Sequence, residues 1–354
     1  MGRKSWKSLL VIRVRVKIVE KKKIETRYGQ ISINKKHRFT QNIDKQRTSP
    51  YFRELLIYVG QSISYEPSAE LLCKLLRTPI NDTQVFRQVM EMGAHAGELM
   101  EQQPEPAPVG DEQRVYVQVD GSMLLTREEK WKEIKLGRLF YETDVYEESP
   151  KRGWIKKSQY LAHLGSHEAF EEKMGRLVDA HAHLGERLVF VTDGAKWIGD
   201  WVSAEYPEAT QILDFYHAME HLGEFAKVHF EDKLQRDYWL EENRVRLQEK
   251  GIQEVIRQIG RLKPKSKEGK EEKTNLLSYY RKNAYRMDYP KYLEKGLIIG
   301  SGAVEAAHRT LIQSRMRLSG QRWSKDGAQK MLDLRALKMS NRWDEIVNVL
   351  RKAA

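Results

Sequence analysis

Apolar positions along the chain fall into two regimes separated by a proline-rich break. Over residues 49–102 they recur at helical spacing. Phe52, Leu55, Leu56 and Val59 follow Ser49-Pro50. Leu71, Leu72, Leu75 and Leu76 stripe the segment 66–76, and Val85, Val89 and Met92 stripe a third. Thr78-Pro79 interrupts the pattern, and Asn81-Asp82-Thr83 offers an N-cap for the third segment. Two short helices, a turn and a third helix have the proportions of a helix-turn-helix unit. Glu101 to Asp111 then carries Pro104, Pro106 and Pro108, which predicts a linker over 103–113.

Beyond the linker the period changes. Val115, Val117 and Val119 alternate up to Asp120-Gly121. Trp131, Ile134, Leu136, Leu139 and Tyr141 suit one or two strands over 130–144, and 159–165 suits another. An amphipathic helix over 166–182 presents Phe170, Met174, Leu177 and Val178. The apolar run Leu188-Val-Phe-Val-Thr192 ends on Asp193-Gly194, a helix covers 195–206, a short strand ends at Asp214, and a helix runs from Phe215 to Phe230. Residues 231–295 are charged and helical with a break at 263–266, a long helix follows Gly300-Ser301-Gly302 to about Met316, and the tail 324–350 is helical. Three strands, then helix, strand, helix, strand, helix, predict an α/β fold with a ribonuclease H-like mixed sheet. The catalytic-type core would comprise 114–230 and 296–354, with a helical insertion at 231–295 and the small helical domain 49–102 in front.

The N-terminal stretch 1–48 alternates apolar and basic residues at 11–17 and continues through Arg27-Tyr28-Gly29. It reads as short strands with a turn at Gly29, or as a basic arm. Here charge changes the picture. Residues 1–48 hold 15 Lys and Arg against three acids, a balance equal to the +12 of the whole 354-residue chain. Residues 306–342 carry nine bases and two acids, so the rest of the chain is acidic. Basic islands flanking an acidic middle favour a polyanion such as double-stranded DNA. The longest apolar runs fall short of the roughly 20 residues of a membrane span, and no signal-peptide pattern is visible, so a cytoplasmic, nucleoid-associated protein without a membrane is expected. The single cysteine, Cys73, excludes an internal disulfide framework and a zinc ribbon.

Asp120 and Asp193 each close a predicted strand and precede a glycine. Open α/β sheets gather ligands beyond the carboxyl ends of adjacent strands, so both acids are placed to meet there. With a third carboxylate they suit two Mg2+ (or Mn2+) ions, which take hard oxygen ligands and promote phosphodiester cleavage. Glu305, one turn into the helix after Gly300-Ser301-Gly302, fits better than Glu294, which precedes the turn. Asp214-Phe-Tyr-His217 suits phosphate contact, orientation of a metal ligand or proton donation, and equally suits a helix N-cap with a packed histidine. His217-Ala-Met-Glu220-His221 also spells the inverted zincin signature, and a zinc metalloprotease is the remote alternative. Arg309, Arg315, Arg317, Arg322 and Lys325, with Trp323 among them, are expected to contact DNA phosphates and an unpaired base.

Val119-Asp120-Gly, Thr192-Asp193-Gly-Ala-Lys-Trp-Ile, Ile212-Leu-Asp214-Phe-Tyr-His217-Ala-Met-Glu-His-Leu, Gly300-Ser-Gly-Ala-Val-Glu305 and Met316-Arg-Leu-Ser-Gly-Gln-Arg-Trp-Ser together resemble bacterial insertion-sequence transposases of the DDE class. The nearest likeness is to the ISKra-like group, related to Mutator-type enzymes, and it spans roughly residues 49–345. The resemblance implies that Asp120, Asp193 and Glu305 form the metal-binding triad and that Asp214 and His217 match the C/D-x-x-H motif. It also implies strand cleavage and strand transfer at the terminal repeats of a mobile element, by a homo-oligomer on paired ends. Such relatives often begin with a longer, cysteine-containing region. Residues 1–48 contain no cysteine, as expected of a shortened or decayed copy; a non-catalytic DNA-binding remnant is the alternative reading.

Overall fold

The computed structural model describes residues 21–26, 29–34, 48–102, 106, 108–149 and 152–352. The alternating segment 11–17 lies outside them. Strands β1 (Lys21–Thr26) and β2 (Gly29–Asn34) pair antiparallel, with Lys21 opposite Asn34 and Gly29 opening the second strand.

Three helices follow: α1 (Pro50–Gly60), α2 (Tyr65–Leu76) and α3 (Asp82–Glu101). The first and third start at a side-chain cap, whereas Ser64 before α2 makes no cap bond. Ser49 Oγ accepts the Phe52 N–H at 3.2 Å, satisfying a donor the first turn leaves open. Asn81 and Gln84 form a reciprocal capping box at the start of α3.

The centre is a five-stranded sheet of β3 (Val115–Thr126), β4 (Lys130–Tyr141), β7 (Gln159–Leu164), β8 (Leu188–Thr192) and β9 (Thr210–Leu213), in the order β7-β4-β3-β8-β9. β4 runs antiparallel to both β3 and β7, whereas β3, β8 and β9 are mutually parallel. The molecule is therefore α/β with a mixed sheet. The segment 130–144 gives one strand and a 3-10 turn. Between β4 and β7 lies a hairpin not foreseen from the sequence, β5 (Val145–Ser149) with β6 (Arg152–Ile155), whose Tyr146 and Trp154 rings pair at 4.4 Å.

Side chains alternate along the strands, and each face has its own cover. Val115, Val117, Val119 and Phe190 point into a core shared with α4 (His167–Val178) and α5 (Lys196–Glu205). The same core takes in the helical segments α11 (Gly302–Ala307) and α12 (Ser314–Met316), and α13 (Lys325–Met339) and α14 (Trp343–Lys352). Tyr116, Val189 and Val191 point the other way, against α6 (Phe215–His229), α7 (Lys233–Glu249), α8 (Ile252–Arg261), α9 (Lys267–Asn283) and α10 (Tyr289–Glu294). Burial on both faces explains why β3 and β8 read as nearly unbroken apolar runs.

Helices α1 to α3 belong to the first of these cores: Leu56, Val85 and Met92 share it with Val117 and Leu332. The approach of α3 to α13 is close at Gly93, where a Cβ would stand 2.8 Å from the Lys330 carbonyl oxygen. A buried guanidinium ties the same parts together. Arg335 of α13 donates to the Gln61 carbonyl after α1 and to the carbonyls of Thr310 and Leu311, and its Nη2 reaches Ser314 Oγ at 3.0 Å. The outward side of α3 carries Asp82, Arg87, Glu91 and Glu98. The third helix of the unit thus presents acids where a DNA-reading helix needs bases.

Candidate active site

The parallel pairings of β3 with β8 and of β8 with β9 end at Val119 opposite Thr192 and Thr192 opposite Leu213. The next residue on each strand is an aspartate: Asp120, Asp193 and Asp214. Neighbouring strands lie about 4.8 Å apart, so three carboxyl groups stand in a row across the carboxyl ends of the parallel strands. β3 itself continues to Thr126 because Gly121 to Thr126 pair with β4. The sequence expectation of a strand ending at Asp120 is corrected there: only the parallel pairing stops.

Each aspartate is held differently. Asp120 Oδ1 accepts its neighbour's N–H, from Gly121, at 2.7 Å, and Oδ2 stands 3.3 Å from Nε2 of buried His308. Burial first, and the charges of Asp193 and Asp214 in addition, push the Asp120 carboxyl up to about 6 against the favourable Gly121 N–H. Asp193 Oδ1 accepts the Ala195 N–H at 2.9 Å, ahead of α5. Asp214 is 1% exposed and both its oxygens are engaged. Oδ1 caps α6 through the N–H groups of Tyr216 and His217, at 2.6 and 3.1 Å, and Oδ2 accepts the Ser301 N–H at 2.7 Å and the Ser301 hydroxyl.

That last pair places Glu305. The segment 299–303 crosses the strand ends, fixed by Phe215 N–H to Ile299 O (2.9 Å), Gln118 Nε2 to Gly300 O (3.1 Å) and Arg138 Nη1 to Ala303 O (2.6 Å). Gly300 is required where the chain passes Tyr216, since a Cβ would meet that ring at 2.8 Å. Glu305 follows one turn into α11, exposed; its carboxyl is pushed up by partial burial and by the charges of Asp214, Asp120 and Glu220. Glu294, the rejected candidate, is the last residue of α10. The helix from Gly302 to Met316 is one rod with a π-helical stretch at His308–Gln313. Such wide turns often mark functional sites, and this one lies between the Glu305 segment and the basic residues beyond.

Neighbouring carboxylates raise the proton affinity of Asp120 and of Glu305, yet among the described residues no three His, Cys, Asp or Glu side chains enclose an ion as they stand. Asp193 Oδ2 and the Glu305 carboxylate make no hydrogen bond among the described residues, so oxygen donors remain for a hard cation. The donor chemistry and the unrelieved crowding of like charge fit Mg2+ or Mn2+.

His217 and His221 share one face of α6, ring centroids 6.0 Å apart, with Nδ1 of each directed to a carboxylate one turn on (Glu220 at 3.4 Å, Glu224 at 3.7 Å). The His221 ring lies 4.0 Å from that of Tyr279 on α9. The Tyr279 hydroxyl occupies the space a Cβ on Gly194, beside Asp193, would fill, and it has no hydrogen-bond partner among the described residues. Tyr279 and His308 were not foreseen. The three-residue step from Glu305 to His308, which puts both on one helix side, was the available signal for the second; nothing local marks Tyr279.

The expected DNA-contacting residues divide. Arg309, Arg317 and Arg322 are exposed. Arg315 and Trp323 are inside: the Arg315 guanidinium lies between the Tyr65 ring (4.6 Å) and the Trp323 ring (5.3 Å) and donates to Gly60 O at 3.1 Å. Trp323 Nε1 donates to Met316 O at 3.0 Å, and its backbone joins β3 by a bridge to Thr126. Trp323 is 8% exposed, with the Arg315 guanidinium over its ring, so little of the ring is open to a base. Lys325 is ion-paired with Glu129. No family model matches the chain, and no curated protein matches it.

Proposed function

We propose that this chain is a DDE-type transposase, cutting DNA at the ends of a mobile element and joining the freed strands to target DNA. The observation that carries this reading is the in-register pair Asp120 and Asp193 at the ends of parallel strands, with the Glu305 helix fastened across them by Asp214. The strand order, third-second-first-fourth-fifth with the second antiparallel, supports assigning the sheet to the ribonuclease H-like type, with α7 to α10 as the helical insertion. The basic termini in the sequence support DNA as the partner.

In the proposed reaction water adds to a backbone phosphorus while the bond to the strand's 3′ oxygen breaks, leaving a 3′ hydroxyl. That hydroxyl then attacks a target phosphodiester, displacing its 3′ oxygen. Bound Mg2+ or Mn2+ would supply a nucleophilic oxygen and neutralise charge at the phosphate. Asp120, Asp193 and Glu305 would hold the ions, and a rotamer change of unbonded Glu305 is the movement this asks for. Asp214 acts as a positioning residue, because both its oxygens are spent on α6 and Ser301. His308 backs Asp120, and His217, with Nδ1 near Glu220, keeps Nε2 for a phosphate oxygen or a proton.

Nicking of supercoiled plasmid tests the reading. The wild-type protein is expected to nick only with Mg2+ or Mn2+. Asp120→Asn, Asp193→Asn and Glu305→Gln should each slow nicking by about 10²-fold or more while DNA affinity stays within about twofold. Nicking at the wild-type rate by Asp120→Asn would overturn it.

A further inference from the structure

A cleft of about 360 Å3 opens between α2, α3 and the loop that leads into α13. Its size lies within the range of roughly 300–1,000 Å3 typical of sites for small organic ligands. Arg127, Arg315 and Arg322 line it and no acid does; Phe86 and Met90 form an apolar wall. Arg315 is 1% exposed and, among the described residues, has no carboxylate partner; its Nη2 and the hydroxyl of Tyr65 beside it are buried there without a hydrogen bond. An unpaired buried cation is costly, and an anion brought into the cleft would relieve it. The acids that follow Arg127 in the chain are already engaged. Glu128 accepts the Lys325 N–H at 3.2 Å, and Glu129 is ion-paired with Lys132 and Lys325. Phe86 is 45% exposed although it packs edge-on against Tyr65 at 5.4 Å, so it keeps a surface for a second ring.

We propose that this cleft binds one unpaired nucleotide of a DNA strand, its phosphate drawn by Arg127, Arg315 and Arg322 and its base lying against Phe86 and Met90. Three arginines match the phosphate, and the aromatic and thioether wall matches the base without demanding a sequence. The cleft is joined to the carboxylate row through β3: Thr126, bridged to Trp323, lies six residues beyond Asp120, about 20 Å along a strand. A strand held in the cleft could therefore run toward the site of cleavage. This rests on the DNA-processing reading above, but it concerns binding alone, so cleavage and occupancy of the cleft can fail separately.

The test is fluorescence anisotropy with the full chain in EDTA, where no cleavage occurs. A labelled duplex with a three-nucleotide single-stranded overhang is compared with a blunt duplex of equal length, and a deoxynucleoside monophosphate and inorganic phosphate serve as competitors. The overhang duplex is expected to bind at least about fivefold tighter than the blunt one. Phe86→Ala and Arg322→Ala should abolish that preference while keeping their thermal transition. Arg315→Met is avoided as the sole probe, since Arg315 also braces Tyr65 and Trp323. Equal binding of the two duplexes, or a preference that survives both substitutions, overturns the proposal. So does tight binding of the free mononucleotide or phosphate with no overhang preference, which would assign the cleft to a small anion.

Discussion

Asp333 shows how a single acidic side chain is set by its surroundings. It lies on α13 against Gly97 of α3, and its Oδ1 accepts from Gln329 Nε2 at 2.8 Å. Burial outweighs that bond and the nearby Lys173 charge and pushes its carboxyl up to about 7. The folded chain thus holds this proton more tightly than the unfolded chain does. The associated stability is fully present below about pH 4 and is lost as pH rises through 7. Asp333→Asn should therefore be more stable than wild type at pH 8, by on the order of 2–4 kcal/mol, with the gain vanishing near pH 4. Denaturant melts at the two pH values check this; an equal difference at both would contradict it. At this scale the sequence was readable where a residue interrupts a pattern. Asp120 and Asp193 end apolar runs and precede glycine, and the structure brings them side by side. It was unreadable where tertiary packing overrides type. Arg315 and Trp323 looked like surface residues in a basic segment, but the hole between α1, α2 and β3 that receives them is made by chain more than 190 residues away. Asp214 was visible as a strand-ending acid, while its grip on Ser301 depends on a loop 87 residues later.

The helix from Gly302 to Met316 was foreseen as one element, with Glu305 in its first turn, but its π turn was not. Apolar Val304, Ala307, Leu311 and Ile312 suit an ordinary helix equally well, so periodicity alone could not reveal the extra residue. The guanidinium of Arg335 meets the carbonyls of Thr310 and Leu311 inside that stretch. Arg335→Met keeps much of the side-chain volume but leaves those carbonyls and that of Gln61 without this donor. The expected cost is about 2–4 kcal/mol in denaturant unfolding, with a matching loss of nicking through displacement of Glu305. A variant as stable and active as wild type would show that the π turn stands without the clamp. Other elements were misjudged for plain reasons. Polar Gly121-Ser122 looked like the end of β3 because cross-strand pairing with β4 is invisible locally. The β5–β6 hairpin is too short and exposed to print an apolar alternation.

Across the whole molecule, element order carried the architecture. Strands and helices alternating after a three-strand start specified a mixed sheet; one face is covered by α6 to α10, and the chain then returns to the other face with α11 to α14. What the order did not reveal is that helices α1 to α3, set apart in sequence by a proline-rich stretch, complete the same core as the sheet and α13. On the proposed reading, the basic balance of the chain would attract a polyanion, and the acid row at the strand ends would need cations before that polyanion could approach it closely. The central claim is that Asp120, Asp193 and Glu305 jointly hold divalent ions. Calorimetric titration of the metal-free protein with Mn2+ tests it most directly. Two bound ions are predicted for wild type, with affinity reduced at least about tenfold in each of Asp120→Asn, Asp193→Asn and Glu305→Gln. Mn2+ binding that is absent in wild type, or unchanged in all three variants, would contradict it.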